Sequence, residues 1–336
     1  MLGVKVSLKK ANTIKKYLIN KDLLNNNFRM IKKHDCVIFP IKKRFIKKNV
    51  EISEENFLKC KKKKNWIDIL KKKLSKKEIE KIITAHDIVG TIAIIEIPKE
   101  LESKEKTIAK SLLKTNKNIK TVLKKVGEHK GIFRTQKMKL LAGKNTKETI
   151  HKENNVKIKL NVEKVFFSAR LGTERKRIMK QIKKDEKIMV LFSGCAPYVC
   201  VFAKNTRAKK VVGVELNTEG HKYGLENIKL NKLTNTKLIQ GNVKKTTPKL
   251  KETFDRISMQ LPKNAEDFLP EAFMISKKGT IIHFYDFEHE KEFYKTEEKV
   301  NNACKKADIK YEVLKFEKCG KYGPRKFRVC LDFKIL

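Results

Sequence analysis

Residues 187–200 read KIMVLFSGCAPYVC, and this stretch decides the fold. Its first six residues, 187–192, are continuously apolar after Lys187, which is typical of a strand that is buried on both faces of a parallel sheet. Gly194 and Pro197 then predict a turn, and a helix follows through Ala203. A strand, a glycine-containing turn and a helix in this order open a doubly wound α/β domain, in which ligands bind at the carboxyl ends of the strands.

The same alternation continues towards the end of the chain. We expect strands at residues 210–216, 236–240, 255–260 and 280–285, and helices at residues 219–231, 265–275 and 290–307. Residues 311–316 and 326–333 close the chain as two strands with no helix between them. Alternating strands and helices give a parallel sheet, so the final pair implies one antiparallel edge strand. This is the layout of the class I methyltransferase fold, whereas dinucleotide-binding dehydrogenases continue the parallel alternation.

Two smaller α/β modules precede this sheet. The first is predicted from strands at residues 2–8 and 36–41 and a helix at 11–24, and the second from a strand at 87–97, helices at 104–113 and 119–126, and a strand region at 156–167. We divide the chain into an N-terminal module (residues 1–62), a basic linker (63–79), a second α/β module (80–145) and a methyltransferase domain (146–336).

The composition indicates a polyanionic partner. Among 336 residues, 81 are Lys or Arg and 38 are Asp or Glu, a formal net charge of +43. A compact chain with this excess repels itself unless a polyanion screens it, so nucleic acid is favoured over an anionic membrane. The longest mostly apolar stretch, residues 190–203, is too short to span a bilayer. Seven scattered cysteines without a CxxC motif indicate reduced thiols in a cytoplasmic protein, with neither disulfides nor a metal site.

Arginine is scarce, with ten residues among the 81 basic ones. Where positive charge has drifted to lysine, a retained arginine supplies what lysine cannot, such as a planar bidentate fork. Four of the ten fall within 44 residues of one another, namely Arg134, Arg170, Arg175 and Arg177.

The loops after the predicted strands suggest a nucleoside cofactor. Gly194, in residues 192–197 (FSGCAP), allows close approach of the backbone. Glu215 ends the second strand, where a carboxylate can accept hydrogen bonds from both hydroxyls of a ribose. Asn242 and Val243 follow the third strand, where an amide could meet an adenine edge. Since GxGxxG is absent, the loop suits S-adenosylmethionine better than a pyrophosphate cofactor; the alternative is an ordinary turn beside a surface glutamate.

Residues 165–177 read VFFSARLGTERKR and place Glu174 among three of the retained arginines. A carboxylate beside guanidinium groups stays ionised, so it could act as a base where the substrate reshapes its surroundings. The structural alternative is a helix N-terminus in which Thr173 is the cap and Glu174 complements the helix dipole.

This segment, together with residues 133–143 (FRTQKMKLLAG) and 149–154 (TIHKEN), resembles the archaeal–eukaryotic tRNA (guanine-37-N1)-methyltransferase family. The resemblance continues through FSGCAP, VVGVELN (211–217), ENIKLNKL (226–233), QLPK (260–263) and YGPRKF (322–327), and it covers nearly the whole chain. It implies a monomeric, S-adenosylmethionine-dependent enzyme that methylates N1 of guanine 37. Its implied partner is tRNA, held at the anticodon stem-loop and, through the N-terminal module, at the outer corner.

The resemblance also implies roles for individual residues. Glu174 corresponds to the general base that takes the N1 proton, and Arg134 to the arginine that stabilises charge on guanine O6. The implied cofactor-binding residues are Arg175, Phe192, Gly194, Ala196, Glu215, Leu216, Asn242, Val243 and Gln260. The implied substrate-binding residues are Arg170, Gln260, Pro262, Tyr322, Pro324 and Arg325. Guanine N1 is protonated and its lone pair delocalised, so a base and a cation beside O6 are the minimal apparatus.

Four positions near the cofactor depart from the family pattern. Val190 stands where an acid is usual, Ala196 replaces a glycine, Asn242 an acid and Gln260 an asparagine. Each change alters one polar contact, at about 1 kcal/mol apiece. The alternatives are therefore a catalytically weakened or silent tRNA-binding protein, or an enzyme that also methylates a wyosine precursor at the same position. The intact Glu174 favours an active methyltransferase.

Overall fold

A computed structural model describes residues 1–47, 50–60, 65–261 and 263–336, with residues 128–130 described by their backbone alone. The chain forms two compact units, Met1–Ile69 and Leu70–Leu336. No helix within these described ranges is long and apolar enough to cross a membrane. All seven cysteines are free thiols.

The N-terminal unit contains one four-stranded sheet. Its main elements are β1 (Leu2–Ser7), α1 (Ala11–Asn20), β2 (Ile31–Lys32), β3 (Cys36–Pro40) and β4 (Glu51–Glu54). The strand order is β2-β3-β1-β4 with every pair antiparallel. Ile14 and Leu18, one helical turn apart, are buried on α1 and pack into the core of this unit. The predicted strand–helix–strand order is confirmed, but the helix ends earlier because Asp22 adopts a left-handed φ of +51°.

The second unit begins with a smaller sheet. Its elements are α2 (Trp66–Leu70), which straddles the unit boundary, α3 (Lys76–Glu80), β5 (Asp87–Val89), β6 (Ile92–Ile95), α4 (Glu105–Thr115), β7 (Thr121–Lys130) and β8 (Thr135–Gly143). The strand order is β5-β6-β7-β8, and only the β6–β7 pair is parallel. The strand predicted for residues 87–97 turns back on itself at Gly90 (φ +56°), where a Cβ atom would lie 2.3 Å from Thr149 Oγ1.

The helix predicted at residues 119–126 is wrong, because this segment belongs to β7. Thr121 pairs with Ile92 in parallel register, and Val122 and Leu123 are fully buried. Val126, which a helical pattern would bury, is 45% exposed. Two β-branched residues at the start of the segment favour this strand once β6 is available as a partner.

A hairpin and a short helix lead into the large sheet. The hairpin is β9 (Glu148–Glu153) and β10 (Val156–Asn161), and the helix is α5 (Gly172–Met179). The hairpin is fastened to the large sheet's helical layer by buried amides: Asn227 Oδ1 accepts from Lys159 N at 2.7 Å, and Asn231 Oδ1 from Lys157 N at 2.8 Å.

The large sheet has seven strands and confirms the class I methyltransferase fold. Its elements are β11 (Lys187–Leu191), α6 (Pro197–Asn205), β12 (Lys210–Glu215), α7 (Thr218–Leu230), β13 (Thr236–Gln240), α8 (Val243–Thr246), β14 (Arg256–Met259), α9 (Leu269–Met274), β15 (Ile281–His289), α10 (Tyr294–Lys306), β16 (Tyr311–Gly323) and β17 (Lys326–Ile335). The order is β13-β12-β11-β14-β15-β17-β16, parallel except for β17.

The sequence predicts an antiparallel strand at the edge of the sheet, but the antiparallel strand, β17, lies one position inside that edge. β17 runs antiparallel to both neighbours, and β16 forms the edge. After the crossover through α10, the chain enters β16, which lies two positions beyond β15 in the sheet. The chain then turns back, and β17 lies between β15 and β16.

Alternate residues of β11 serve the two cores of this sheet. Ile188 and Val190 belong to the cluster that contains α6, whereas Met189 and Leu191 belong to the cluster that contains α9 and α10. The continuous apolar run therefore reflects burial on both faces. Val190 is fully buried in the core that contains α6.

Candidate functional site

A cavity of about 530 Å³, here called the main cavity, lies at the carboxyl ends of β11, β12, β13 and β14. Every loop that follows one of these four strands contributes to its wall. From β11 the chain continues to β12 and β13 on one side of the sheet, whereas β14 and β15 lie on the other side of β11. Doubly wound α/β sheets bind ligands at the point where the strand order changes direction in this way. The volume lies within the range typical of small-molecule sites.

The loop after β11 is shaped by left-handed residues. Phe192, Gly194 and Ala196 have φ of +62°, +56° and +62°. Apart from its neighbours in the chain, a Cβ atom at Gly194 would have only Phe166 O within 4 Å among the described residues, at 3.8 Å, so the space beside it is open. Ala196, by contrast, is fully buried and is not among the described residues that line the cavity. Its methyl group faces Gly224 of α7, and its contact with a cofactor stays a prediction.

Glu215 closes the loop from the end of β12. Its Oε2 accepts from Gly194 N at 2.5 Å and its Oε1 accepts from Asn217 N at 2.7 Å. Burial raises the pKa of Glu215, and the backbone N–H groups act in the opposite direction. Leu216, the next residue, lines the cavity and is 42% exposed. The carboxylate is thus positioned at the cavity by backbone donors.

The loops after β13 and β14 supply amide groups. Asn242 lines the cavity and caps α8, with its Oδ1 accepting from Lys244 N at 2.9 Å, and Val243 is buried beside it. Gln260 Nε2 donates to Ser258 Oγ, while Gln260 Oε1 is buried with no hydrogen-bond partner among the described residues. Pro262 lies outside the residues that the structure describes.

Arg175 lines the main cavity but is already paired. Its Nη2 donates to Glu153 Oε2 at 2.7 Å and to Ser168 O at 3.0 Å. Its guanidinium carbon lies 5.2 and 5.4 Å from the ring centroids of Phe167 and Tyr198. The positive charge at this wall is therefore balanced from behind by a buried carboxylate.

Glu174, the predicted base, lies behind the cavity wall. It is 4% exposed, and the described lining residues include Tyr285 but not Glu174. Arg177 Nε and Nη2 donate to its two oxygens at 2.8 and 2.7 Å, and Tyr285 Oη donates to Oε1 at 2.7 Å. Of the three arginines expected around it, only Arg177 pairs with it. The expected cap is also wrong, since Leu171 is the N-cap of α5 and Thr173 is exposed within it.

Arg134 joins the main cavity to a second cavity of about 370 Å³. It has a left-handed φ of +51°, and its guanidinium carbon lies 5.1 and 5.6 Å from the ring centroids of Phe166 and Phe287. Tyr322 packs against Phe287 with 4.0 Å between ring centroids. Arg170 Nε donates to Asp87 at 2.7 Å, and these two residues also line the second cavity. The structure therefore brings Arg134, Arg170 and Tyr322 to one aromatic and cationic wall.

Two of the predicted substrate residues lie away from both cavities. Pro324 and Arg325 form the exposed turn between β16 and β17, and Arg325 (φ +54°) lies 3.5 Å from Glu290. Neither is among the described residues that line the main cavity or the second cavity. Their contact with RNA stays a prediction.

The sequence analysis missed several residues of the cavity wall. Arg328 lines both cavities, burial lowers its pKa, and its Nε has no partner within the described ranges. The scarcity of arginine was a signal that could have singled it out. Ser193 Oγ is likewise buried without a partner in the part of the chain that the structure describes. Tyr285 carried no signal, because it falls within the apolar run of β15.

A buried network lies behind Glu174. His283, Cys330 and Asp332 present donor atoms within 4.8 Å of one another, a spacing that could hold a metal ion. Arg256 Nη1 faces His283 Nε2 at 2.9 Å, so this nitrogen accepts, and Nδ1–H donates to Asp332 Oδ1 at 2.6 Å. A guanidinium group directed at the histidine favours a polar network over a cation site.

Comparison with known protein families accounts for almost the whole chain. Residues 149–314 match the TRM5/TYW2 methyltransferase domain, residues 67–146 the TYW2 N-terminal domain, and residues 3–49 the tRNA methyltransferase 5 N-terminal domain.

Individual relatives agree with this result. The tRNA (guanine(37)-N(1))-methyltransferase Trm5b of Pyrococcus abyssi is 34% identical over 337 residues, which is 99% of each chain. Its crystal structure matches with a TM-score of 0.74 and 33% identity, covering 100% of this chain and 99% of that one. The structure of aTrm5 in complex with tRNALeu matches with a TM-score of 0.71 and 31% identity over the full length of both chains. This chain therefore belongs to the TRM5/TYW2 methyltransferase family.

Proposed function

We propose that this chain transfers a methyl group from S-adenosylmethionine to N1 of guanine 37 of tRNA. The observation that carries the proposal is that Glu215, Arg134 and Tyr285 all line the main cavity. Glu215 lies at a strand end that suits a ribose, and Tyr285 is hydrogen-bonded to Glu174. The relative from Pyrococcus abyssi, named for this reaction, supports the assignment.

The main cavity fits the proposed cofactor. It offers open space beside Gly194 and two buried oxygens without partners among the described residues, Ser193 Oγ and Gln260 Oε1. Glu215 would accept from the ribose hydroxyls, and Asn242 and Val243 would border the adenine. The cofactor supplies an electrophilic methyl group when it is bound. The remaining predicted cofactor residues that line the cavity are Arg175, Phe192 and Leu216.

The residues where the main cavity and the second cavity meet, which include Arg134, Phe166 and Arg328, suit a guanine that has left its stack. Arg134 lies close to the rings of Phe166 and Phe287, a setting that can hold a planar base and place a guanidinium near O6. Glu174 is the final acceptor of the N1 proton, which increases the nucleophilicity of N1. Because the reacting atom is inaccessible in a stacked loop, the base must flip out before the reaction.

The tRNA contacts extend beyond the two cavities. We assign Arg170, Gln260, Pro262, Tyr322, Pro324 and Arg325 to the tRNA side of the site. We assign recognition of the tRNA outer corner to the N-terminal module (residues 1–62), joined by a linker (63–79) to the second module (80–145) and the methyltransferase domain (146–336). The three family matches support three successive domains, and the second match begins at residue 67, within the proposed linker. A monomeric, cytoplasmic protein remains our prediction.

Methyl transfer to paired transcripts tests the proposal. We expect labelled methyl groups to pass from S-adenosylmethionine to an unmodified tRNA transcript with guanine at position 37, and not to the same transcript with adenine there. Equal labelling of both transcripts would contradict the assignment of position 37. Cofactor and tRNA binding without transfer would favour the silent tRNA-binding alternative.

A further inference from the structure

A tyrosine hydroxyl separates the main cavity from Glu174. Tyr285 lies on β15 and lines the cavity, whereas Glu174 is absent from the described lining residues. Tyr285 Oη donates to Glu174 Oε1 at 2.7 Å. Tyr285 therefore links the wall of the cavity to the carboxylate through a hydrogen bond.

Glu174 is held in place from its other side. Both of its oxygens accept from Arg177, at 2.8 and 2.7 Å, and Arg177 also donates to Asp332. Asp332 accepts in turn from His283 Nδ1 at 2.6 Å, and the three acidic and imidazole side chains are at most 4% exposed. Rotation of the carboxylate into the cavity would break this fork and separate Glu174 from its guanidinium partner, which is unfavourable for a buried charge.

We propose that Tyr285 relays the substrate proton to Glu174, an inference that rests on the proposed function. As the N1–H bond of guanine breaks, its proton passes to Tyr285 Oη, and the hydroxyl proton of Tyr285 passes to Glu174 Oε1. The freed electron pair of N1 forms the bond to the methyl group. The carboxylate becomes a neutral acid and the sulfonium a neutral thioether, so charge balances, and Tyr285 ends with a proton as it began.

The surroundings of Tyr285 suit a relay rather than a base. Burial raises its pKa well above the ordinary value, and the neighbouring Cys330, Tyr198 and Glu174 act in the same direction. The phenol is therefore neutral before the reaction and keeps a proton to donate. A phenolate would have lost the proton that Glu174 must receive.

Single-turnover methyl transfer tests the relay in wild type, Tyr285→Phe and the control Tyr294→Phe. Tyr294 is the first residue of α10 and is 57% exposed. The probe is labelled S-adenosylmethionine with the guanine-37 transcript in mixtures of H₂O and D₂O. We expect Tyr285→Phe to lower the rate by about 100-fold or more, the usual contribution of a positioned proton-transfer group, with Tyr294→Phe unchanged. Cofactor and tRNA binding by Tyr285→Phe should match wild type.

The solvent isotope effect separates a relay from a merely structural hydroxyl. For wild type, the plot of the rate against the deuterium fraction of the solvent should be curved, because two protons are transferred in the same step. For Tyr285→Phe, the residual rate should depend linearly on the deuterium fraction. A straight line for wild type, a bowed line for the variant, or a wild-type rate in the variant would overturn the relay. If the variant loses binding, the wild-type plot decides. No methyl transfer by wild type would instead refute the proposed function.

Discussion

The buried pair between Arg175 and Glu153 supports a quantitative prediction about stability. Their side chains are 2% and 8% exposed, and two guanidinium nitrogens donate to the two carboxylate oxygens. Burial works to raise the pKa of Glu153, but His151 and Arg175 hold it below its usual value. Glu153→Gln keeps the shape and removes the charge, so it leaves a buried guanidinium without its counterion.

Removing one partner of a buried pair costs about 3 to 5 kcal/mol, and we expect about 3 kcal/mol because glutamine can still accept a hydrogen bond. At about 2 to 4 °C per kcal/mol for a large domain, Tm should fall by about 6 to 12 °C. Urea unfolding and thermal melting at pH 7.5 measure the loss.

Two controls define the mechanism. Glu219→Gln removes the same charge from an exposed pair with Lys164 at 2.8 Å, and should cost less than about 1 kcal/mol. The double variant Glu153→Gln with Arg175→Met removes both buried charges and should recover most of the loss. The reasoning is refuted if Glu153→Gln costs no more than Glu219→Gln, or if the double variant is as unstable as the single one.

Further outcomes follow from the other residues. Glu174→Gln should lower single-turnover methyl transfer by about 100-fold or more while a filter-binding assay still detects tRNA binding; near wild-type turnover would remove Glu174 as the proton acceptor. Ala196→Gly removes the strain of a left-handed backbone conformation and also removes a buried methyl group, and these two effects oppose each other. The Tm measured by calorimetry should therefore change little, and the Kd for the cofactor should change by less than about twofold. Much tighter binding would show that the methyl group hinders the cofactor. Removing residues 1–69 should weaken discrimination between folded tRNA and an anticodon stem-loop, measured by competition binding; an unchanged preference would place tRNA recognition elsewhere. Burial opposes ionisation of Asp332, but His283 and Arg177 hold its pKa below the ordinary value. The ionised Asp332 therefore stabilises the fold above the unfolded-state pKa of about 3.9, and this stabilisation is lost as the pH falls below that value. Asp332→Asn should have a lower free energy of unfolding in urea than wild type at pH 7, and the difference between the two proteins should narrow below about pH 4. A difference that is constant with pH would contradict this.

The large sheet was predictable because its signals are local. The apolar run of β11 is continuous because both faces of the strand are buried. Recognisable helices separate β11 from β12, β12 from β13, β14 from β15 and β15 from β16. A helix is predicted at residues 119–126 because Ile119, Val122, Leu123 and Val126 have helical spacing. Pairing with β6 overrides that pattern, and no local signal reveals a partner strand.

Site residues were predictable where their position is set by the end of a strand. They were not predictable where their position is set by hydrogen-bond partners that are distant along the chain. Glu215 and Gln260 follow strands, so the fold alone brings them to one cavity. The partners of Glu174 include Tyr285, 111 positions away along the chain, and sequence spacing cannot show that this tyrosine stands between the carboxylate and the cavity. Likewise, Arg170 pairs with Asp87 rather than with the neighbouring Glu174, since the second module supplies a closer carboxylate.

The identity and position of the methylated nucleoside test the central claim most directly. After reaction with S-adenosylmethionine, an unmodified tRNA transcript is digested with a sequence-specific ribonuclease, and the fragments and nucleosides are analysed by liquid chromatography and mass spectrometry. The account predicts 1-methylguanosine in the fragment that contains position 37, and no methylation elsewhere. A methyl group on another atom or at another position, or reaction only with a wyosine precursor at position 37, would contradict it.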